Sequence, residues 1–236
     1  MCVRDRLSWE SLYDIIVDSL GLDRERDHYS CRVLDLILST RTELVLKSRR
    51  RLSELLEGKD AVVIGDAYAP RCPSKLGKVL IAADAAFEAC LREGIVPDVV
   101  VTDLDGVTQD MLSYRDVIYV VHAHGDNIDK VISLIPYVRG FLVGTAQCGC
   151  SYRVDVPGGF TDGDRAVFLA FRYGASRVYL HGFDFGKVSR LVKPSGALVN
   201  VRSKLAKLAW AKLLLQLLKY SGYEIECLER GCKGWI

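Results

Sequence analysis

The sequence predicts an α/β fold: a mostly parallel, Rossmann-like sheet with flanking helices, preceded by a helical N-terminal segment. Three observations lead there. Six short apolar runs between residues 61 and 185 alternate with segments of helical spacing, the order that builds right-handed strand–helix–strand units. These runs are apolar throughout rather than alternating, as strands covered on both faces are. The first 57 residues contain no such run and carry apolar residues at helical spacing instead. The chain therefore divides into a helical segment, 1–57, and an α/β domain, 58–236.

Taken in order, "SWESLYDIIVDSL" (8–20) opens with Ser8 as a helix cap and stops at Gly21. Helical spacing resumes over 28–57 and closes at Gly58. Strands follow at "AVVIG" (61–65), "KVLIAAD" (78–84), "DVVVTDLD" (98–105), "VIYVVHAHG" (117–125), "GFLVGT" (140–145) and "RVYLHGFDF" (177–185). Helices lie between them at 85–94, 127–138 and 162–175. A long amphipathic helix at 203–220 is a candidate homodimer surface, and "YEIECL" reads as a last strand.

Composition bounds the function. Half of the 236 residues are hydrophobic, so a sizeable core is available. A net charge of +2 argues against a nucleic-acid surface built on phosphate contacts. The start, "MCVRDRLSWESLYDII", has charges where a signal peptide's apolar stretch belongs, and no run reaches membrane-spanning length. A soluble cytoplasmic protein with no nucleic-acid or membrane partner is expected. The eight cysteines form no C-x-x-C pair, which counts against a zinc ribbon. Asparagine occurs only at 127 and 200 and glutamine only at 109, 147 and 216, a thermophile-like scarcity. That bias makes a disulfide admissible, with Cys227 and Cys232 the nearest candidate.

Ligands of open parallel sheets bind beyond the carboxyl ends of the strands. Polar residues gather at those ends: Gly65 and Asp66, Asp84, Asp103 and Asp105, His122, His124 and Asp126, Thr145 and Gln147, His181 and Asp184. Asp103 and Asp105 are two apart, so on an extended strand both face one way. Carboxylates that close repel unless a cation lies near, and hard oxygens at a sheet's mouth suit Mg²⁺ bridging to phosphates. His122 and His124 are also two apart, a spacing that suits phosphate contact or acid–base work more than a transition metal lacking a third ligand. "GGFTDGDRAVFLA" (158–170) enters a helix that Thr161 or Asp162 can cap, and a cation would reconcile Asp162 and Asp164 with an anion at that terminus. No P-loop, G-x-G-x-x-G or G-x-S-x-G motif is present.

In this order, "VPDVVVTDLDG", "VHAHGDN", "GFTDGDRAV" and "LHGFDFG" closely resemble the archaeal 6-hydroxymethyl-7,8-dihydropterin pyrophosphokinase (MptE-like) family, itself distantly similar to the thiamin pyrophosphokinase catalytic domain. The resemblance covers roughly residues 60–190. It implies Mg²⁺-dependent transfer of the β,γ-diphosphate of ATP to 6-hydroxymethyl-7,8-dihydropterin, with release of AMP, on the way to tetrahydromethanopterin or a related pterin cofactor. It implies Asp103, Asp105 and Asp126 as metal ligands, with Asp105, Asp126, His122 and His124 at the reaction centre. Asn127, Thr161, Asp162 and Asp164 are implied contacts of the nucleotide or metal, and Thr145 and Gln147 line the pocket. Gly65, Ser74 and Asp84 complete the implied cofactor-binding set.

One stretch departs from the family. Its compact Gly-Pro-Ser turn is replaced by "GDAYAPRCPSKLGK", which leaves the phosphate role open among Gly65, Pro73 and Ser74, with Lys75 or Lys78 as a charge. The rival readings are a diphosphokinase for thiamine or another acceptor, a nucleotide-sugar-binding glycosyltransferase-like domain, and a non-catalytic nucleotide sensor.

Overall fold

The computed structural model describes residues 8–67, 72–73, 77–189, 191–192, 198–228 and 232–235. Three helices open the chain: α1 (Trp9–Leu20), α2 (Arg24–Ser39) and α3 (Thr42–Leu56). Ser8 caps α1 by accepting from the Ser11 N–H, and Gly21 ends it at φ +63°. Asp23 caps α2 by accepting from the Arg26 N–H at 3.1 Å. The helical spacing over 28–57 is broken without glycine or proline. Thr40 and Thr42 hydroxyls donate to the Ile37 and Ser39 carbonyls, terminating α2 where a backbone N–H would have continued it.

The remaining elements are β1 (Asp60–Ile64), β2 (Val79–Ala83), α4 (Ala86–Arg92), β3 (Val99–Thr102), β4 (Ile118–Ala123), α5 (Ile128–Leu134), β5 (Phe141–Ala146), β6 (Val154–Asp155), α6 (Asp162–Arg172), β7 (Arg177–His181), β8 (Phe183–Asp184), α7 (Val201–Tyr220), β9 (Glu224–Cys227) and β10 (Cys232–Lys233). Eight strands form one parallel sheet in the order β6-β5-β4-β3-β2-β1-β7-β9, while β8 and β10 make a small parallel pair. This is the α/β class that the unbroken apolar runs predict.

Strand ends differ from the sequence expectation in informative places. The run 98–105 stops at Thr102, and 117–125 stops at Ala123. Gly182 splits the last run into β7 and β8. The two-residue β6 carries no sequence signal.

Alternate residues of each strand face opposite layers. Val62, Leu80, Val100 and Leu142 pack with Leu34 and Leu38 of α2 and with α4 and α5. Val63, Ile81, Val101 and Val143 pack with Ala166 and Leu169 of α6 and Leu215 of α7. Val45 belongs to the first layer and Leu52 and Leu56 to the second, so α3 passes from one to the other. A third cluster joins Tyr13 and Ile16 of α1 to Leu214 of α7. The N-terminal helices are thus packed onto both layers of the sheet. Cys31–Cys150, Cys72–Cys90 and Cys227–Cys232 are bonded, the last being the pair nearest in sequence. No described helix is long and apolar enough to cross a membrane.

The chain steps outward from β1 to β6 and then returns through α6 to β7, on the other side of β1. Beyond the carboxyl ends of β1 and β7 lies the crevice created by that reversal. Gly65 ends β1 there, and a Cβ on it would lie 2.7 Å from the Gly182 carbonyl oxygen.

Candidate functional site

Asp84 follows β2 and Asp103 follows β3, so the parallel pairing of these strands sets the two carboxylates side by side. Asp84 Oδ1 accepts from Thr102 Oγ1 at 2.7 Å and from the Gly106 N–H at 2.9 Å. A Cβ at Gly106 would lie 2.2 Å from Asp84 Oδ2, so glycine is required there. Both loops bear non-glycine residues at positive φ, Asp84 at +48° and Leu104 at +70°. Backbone in this region costs of order 1–3 kcal/mol and collects at functional sites.

The left-handed Leu104 corrects one expectation. Asp103 to Asp105 are not extended but turned, with the Asp105 N–H donating to Asp103 Oδ1 at 2.9 Å. Asp105 pairs with Lys130 of α5. Asp126, in the loop after β4, is 77% exposed and pairs with Arg26 of α2 at 3.4 Å. Among the described residues, the group with ligand atoms within 4.8 Å of one another is Asp84, Asp103 and Asp162, the last supplied by the first turn of α6. Of the expected metal set, Asp103 belongs to this close group, whereas Asp105 and Asp126 are paired with cations outside it.

Three carboxylates at that spacing raise one another's proton affinity. Burial, with Asp103 and then Asp105 nearby, pushes the Asp84 carboxyl up to about 7 despite the bonds from Thr102 and Gly106. Asp162 is pushed well above the usual carboxylate range by burial, Asp103 and Asp84, against the pull of Arg165 and Lys204. A divalent cation relieves this repulsion, and a set of hard oxygen donors fits Mg²⁺.

The other expected residues take varied places. Asp164 accepts from the Phe160 N–H at 2.6 Å, the Thr161 N–H at 2.8 Å and Thr161 Oγ1 at 2.5 Å. It is fully buried and belongs to the capping box of α6, so it does not reach a ligand. Asn127 is also committed to structure. Its amide nitrogen donates to the Asp103 and His122 carbonyls and its oxygen accepts from the His124 N–H, tying the ends of β3 and β4 together. Gly65 lies in the switch-point crevice. Ser74 and Lys75 fall outside the described residues.

The two histidines do share a face, their rings stacked at 6.0 Å. The register sets His122 opposite Thr145. Thr145 Oγ1 donates to the Val121 carbonyl and so accepts from His122 Nδ1 at 3.1 Å. His122 Nε2 is therefore a lone pair, buried and without a partner among the described residues. Burial, with Arg165 and His124 nearby, holds this imidazole well below the ordinary histidine value. His124 has the other tautomer: its Nδ1 accepts from the Asp126 N–H, which leaves Nε2–H directed at Asp103 Oδ2, 3.6 Å away.

Two chambers meet at this rim. The larger, about 520 Å³, includes His122, Arg165, Lys130 and Lys207, and is roofed by Tyr13, Arg26 and Asp27 of the N-terminal helices. Asp27 holds that roof in place by accepting from Tyr13 and, at 2.8 Å, from the Gly125 N–H. The smaller, about 220 Å³, is the switch-point crevice, with Phe183, Phe185 and Leu208 in its walls. Asp103, Asp105, Thr161, Asp162, Val199 and Lys204 line both.

Sequence reasoning missed Arg165, Tyr13, Asp27, Lys130 and Lys204. Arg165 is 1% exposed and donates to the Gly159 and Phe160 carbonyls. With the Gln147 amide turned to fit, Gln147 oxygen also accepts from it at 2.8 Å. A signal for Arg165 was available: it follows the acidic cap directly and shares a helix face with Leu169, an apolar position.

The family described as 6-hydroxymethylpterin diphosphokinase MptE-like matches residues 75–190, which contain all three clustered aspartates. A 6-hydroxymethyl-7,8-dihydropterin pyrophosphokinase of Methanocaldococcus jannaschii is 33% identical, over 95% of this chain and 100% of its own. Proteins of the same name from Pyrococcus furiosus and Methanothermobacter thermautotrophicus are 37% and 35% identical, over 91% and 94% of this chain and 94% of each relative.

Proposed function

This chain belongs to the MptE-like 6-hydroxymethylpterin diphosphokinase family, and on that premise we propose that it moves the β,γ-diphosphate of ATP to 6-hydroxymethyl-7,8-dihydropterin. The observation that carries the reading is the trio Asp84, Asp103 and Asp162, of which Asp103 and Asp162 stand at the wall between two chambers, as a transfer between two substrates needs.

The hydroxymethyl oxygen attacks the β-phosphorus. The bond from that phosphorus to the oxygen bridging the α-phosphate breaks, AMP leaves, and the hydroxyl proton is released. Phosphoryl-type transfer asks the protein mainly for positioning and charge neutralisation. Asp84, Asp103 and Asp162 would hold Mg²⁺, which when bound neutralises phosphate charge. Lys204, on the first turn of α7, adds a cation at the same wall. His124 orients Asp103 through its Nε2–H. The neutral His122 offers an acceptor to a ligand donor in the larger chamber. The product would feed assembly of a pterin cofactor such as tetrahydromethanopterin, drawing on cytoplasmic ATP.

Thermal melting with Mg²⁺ tests the reading. A ligand at a hundred times its dissociation constant adds about 2.7 kcal/mol of stability. ATP with Mg²⁺ should raise the midpoint and the pterin should raise it further. A rise with UDP-sugars and none with ATP would transfer the site to the glycosyltransferase class.

A further inference from the structure

We propose that the two chambers divide the substrates, the nucleotide occupying the larger and the pterin the smaller. The inference rests on the diphosphokinase reading and assigns its two ligands to places.

Size and charge both favour this order. A nucleoside triphosphate is much the larger ligand and is polyanionic. The larger chamber, about 520 Å³, sets Arg26, Lys130, Arg165, Lys204 and Lys207, carried by four different helices, against Asp23, Asp27 and Asp126 beyond the acids that line both chambers. Arg26 and Lys130 are held by carboxylates, but Lys204 and Lys207 form no ion pair among the described residues. Lys207 lies over the Phe160 ring at 5.9 Å, facing the same chamber. The floor offers a second, independent mark of a ligand. His122 Nε2 is a buried acceptor whose lone pair is fixed by the Thr145 bond, and it has no partner among the described residues. A nucleotide carries hydroxyl and amino donors suited to it.

The smaller chamber, about 220 Å³, carries as many acids but fewer cations. Its described cations are Lys187 and Lys204, against Asp66, Asp84 and Asp184 beyond the shared acids. A polyanion is disfavoured there, whereas the amino and ring N–H donors of a neutral pterin pair with carboxylates. Phe183 and Phe185, 5.7 Å apart, and Leu208 supply an apolar slot for a flat bicycle. With each ligand in its chamber, the pterin hydroxymethyl and the β-phosphate meet at the wall formed by Asp103, Asp162 and Lys204.

Helix α7 is the divider. Asn200, Ser203 and Lys207 face the larger chamber, Leu208 and Ala211 the smaller, and Lys204 both. Adjacent residues therefore report on different ligands. Calorimetric titration with α,β-methylene-ATP and Mg²⁺, and fluorescence titration with 6-hydroxymethylpterin, give separate affinities without turnover. Leu208→Trp should weaken the pterin roughly tenfold or more and leave the nucleotide analogue within about twofold, a tenfold change being about 1.4 kcal/mol. Lys207→Glu should do the reverse. Ser189→Tyr, an exposed position on the smaller chamber's rim, repeats the first arm without touching the core. A crossed pattern, or equal loss of both ligands in each variant, would overturn the division. A wild-type protein that binds neither ligand would instead refute the diphosphokinase reading on which it stands.

Discussion

Replacing Asp84 with asparagine should flatten the pH dependence of stability in metal-free protein. The Asp84 carboxyl is pushed up from 3.8 to about 7, first by burial and then by Asp103. In the unfolded chain it titrates near the ordinary carboxylate value of about 3.9. Between those values the folded protein keeps a proton that the unfolded chain has released, so its stabilising effect is full at low pH and lost as pH rises through the folded value. From pH 5 to pH 8 the loss is about 3 kcal/mol. For a chain of this size that corresponds to roughly 10 °C in the melting midpoint. Asparagine keeps the oxygen that accepts from Thr102 and Gly106 and removes the titration. Melts of both proteins in EDTA from pH 5 to pH 8 give the difference curve, in which the opposing contribution of His122, held low in both, cancels. The variant should gain on the wild type as pH rises, and Mg²⁺ at pH 8 should raise the wild type more than the variant. Parallel curves, with the same gap at pH 5 and pH 8, would refute the assignment of Asp84 to a mutually repelling cluster.

Other expectations follow from the same geometry. Asp103→Asn should lower turnover by at least about a hundredfold, the scale of losing one transition-state charge contact, while Asp126→Asn, exposed on the rim, should lower it less than tenfold; steady-state rates in saturating Mg²⁺ compare them. Asp164→Ala leaves the Phe160 and Thr161 N–H groups unpaired and should cost about 3 kcal/mol, read by denaturant unfolding. Mass spectrometry after alkylation under denaturing conditions should find Cys31, Cys72, Cys90, Cys150, Cys227 and Cys232 protected until a reductant is added, and Cys148 reactive from the start.

The parallel sheet was legible because burial on both faces leaves unbroken apolar runs, and the rim was legible because parallel strands end on the same side. Individual side chains were harder. Asp103 and Asp105 looked like one pair because nothing in "TDLDG" signals a left-handed leucine. Asp84 stood as a lone acid at a strand end, and only the adjacency of β2 and β3 brings it to Asp103. Asp162 arrives from α6, which crosses beneath the sheet to reach β7. The N-terminal segment carried no chemical motif, yet Tyr13, Arg26 and Asp27 roof a chamber, through contacts far apart in sequence. Asp164 was read as a ligand because its capping bonds and a metal role demand the same residue type at the same place.

The central claim is a transfer of diphosphate, so product identity tests it most directly. The protein is incubated with ATP, Mg²⁺ and 6-hydroxymethyl-7,8-dihydropterin, and the mixture is followed by phosphorus NMR and mass spectrometry. Attack at the β-phosphorus predicts AMP and pterin diphosphate in equal amounts from the first time point. ADP with a pterin monophosphate would mean attack at the γ-phosphorus, and AMP without a phosphorylated pterin would mean that the pterin is not the acceptor; either result contradicts the account.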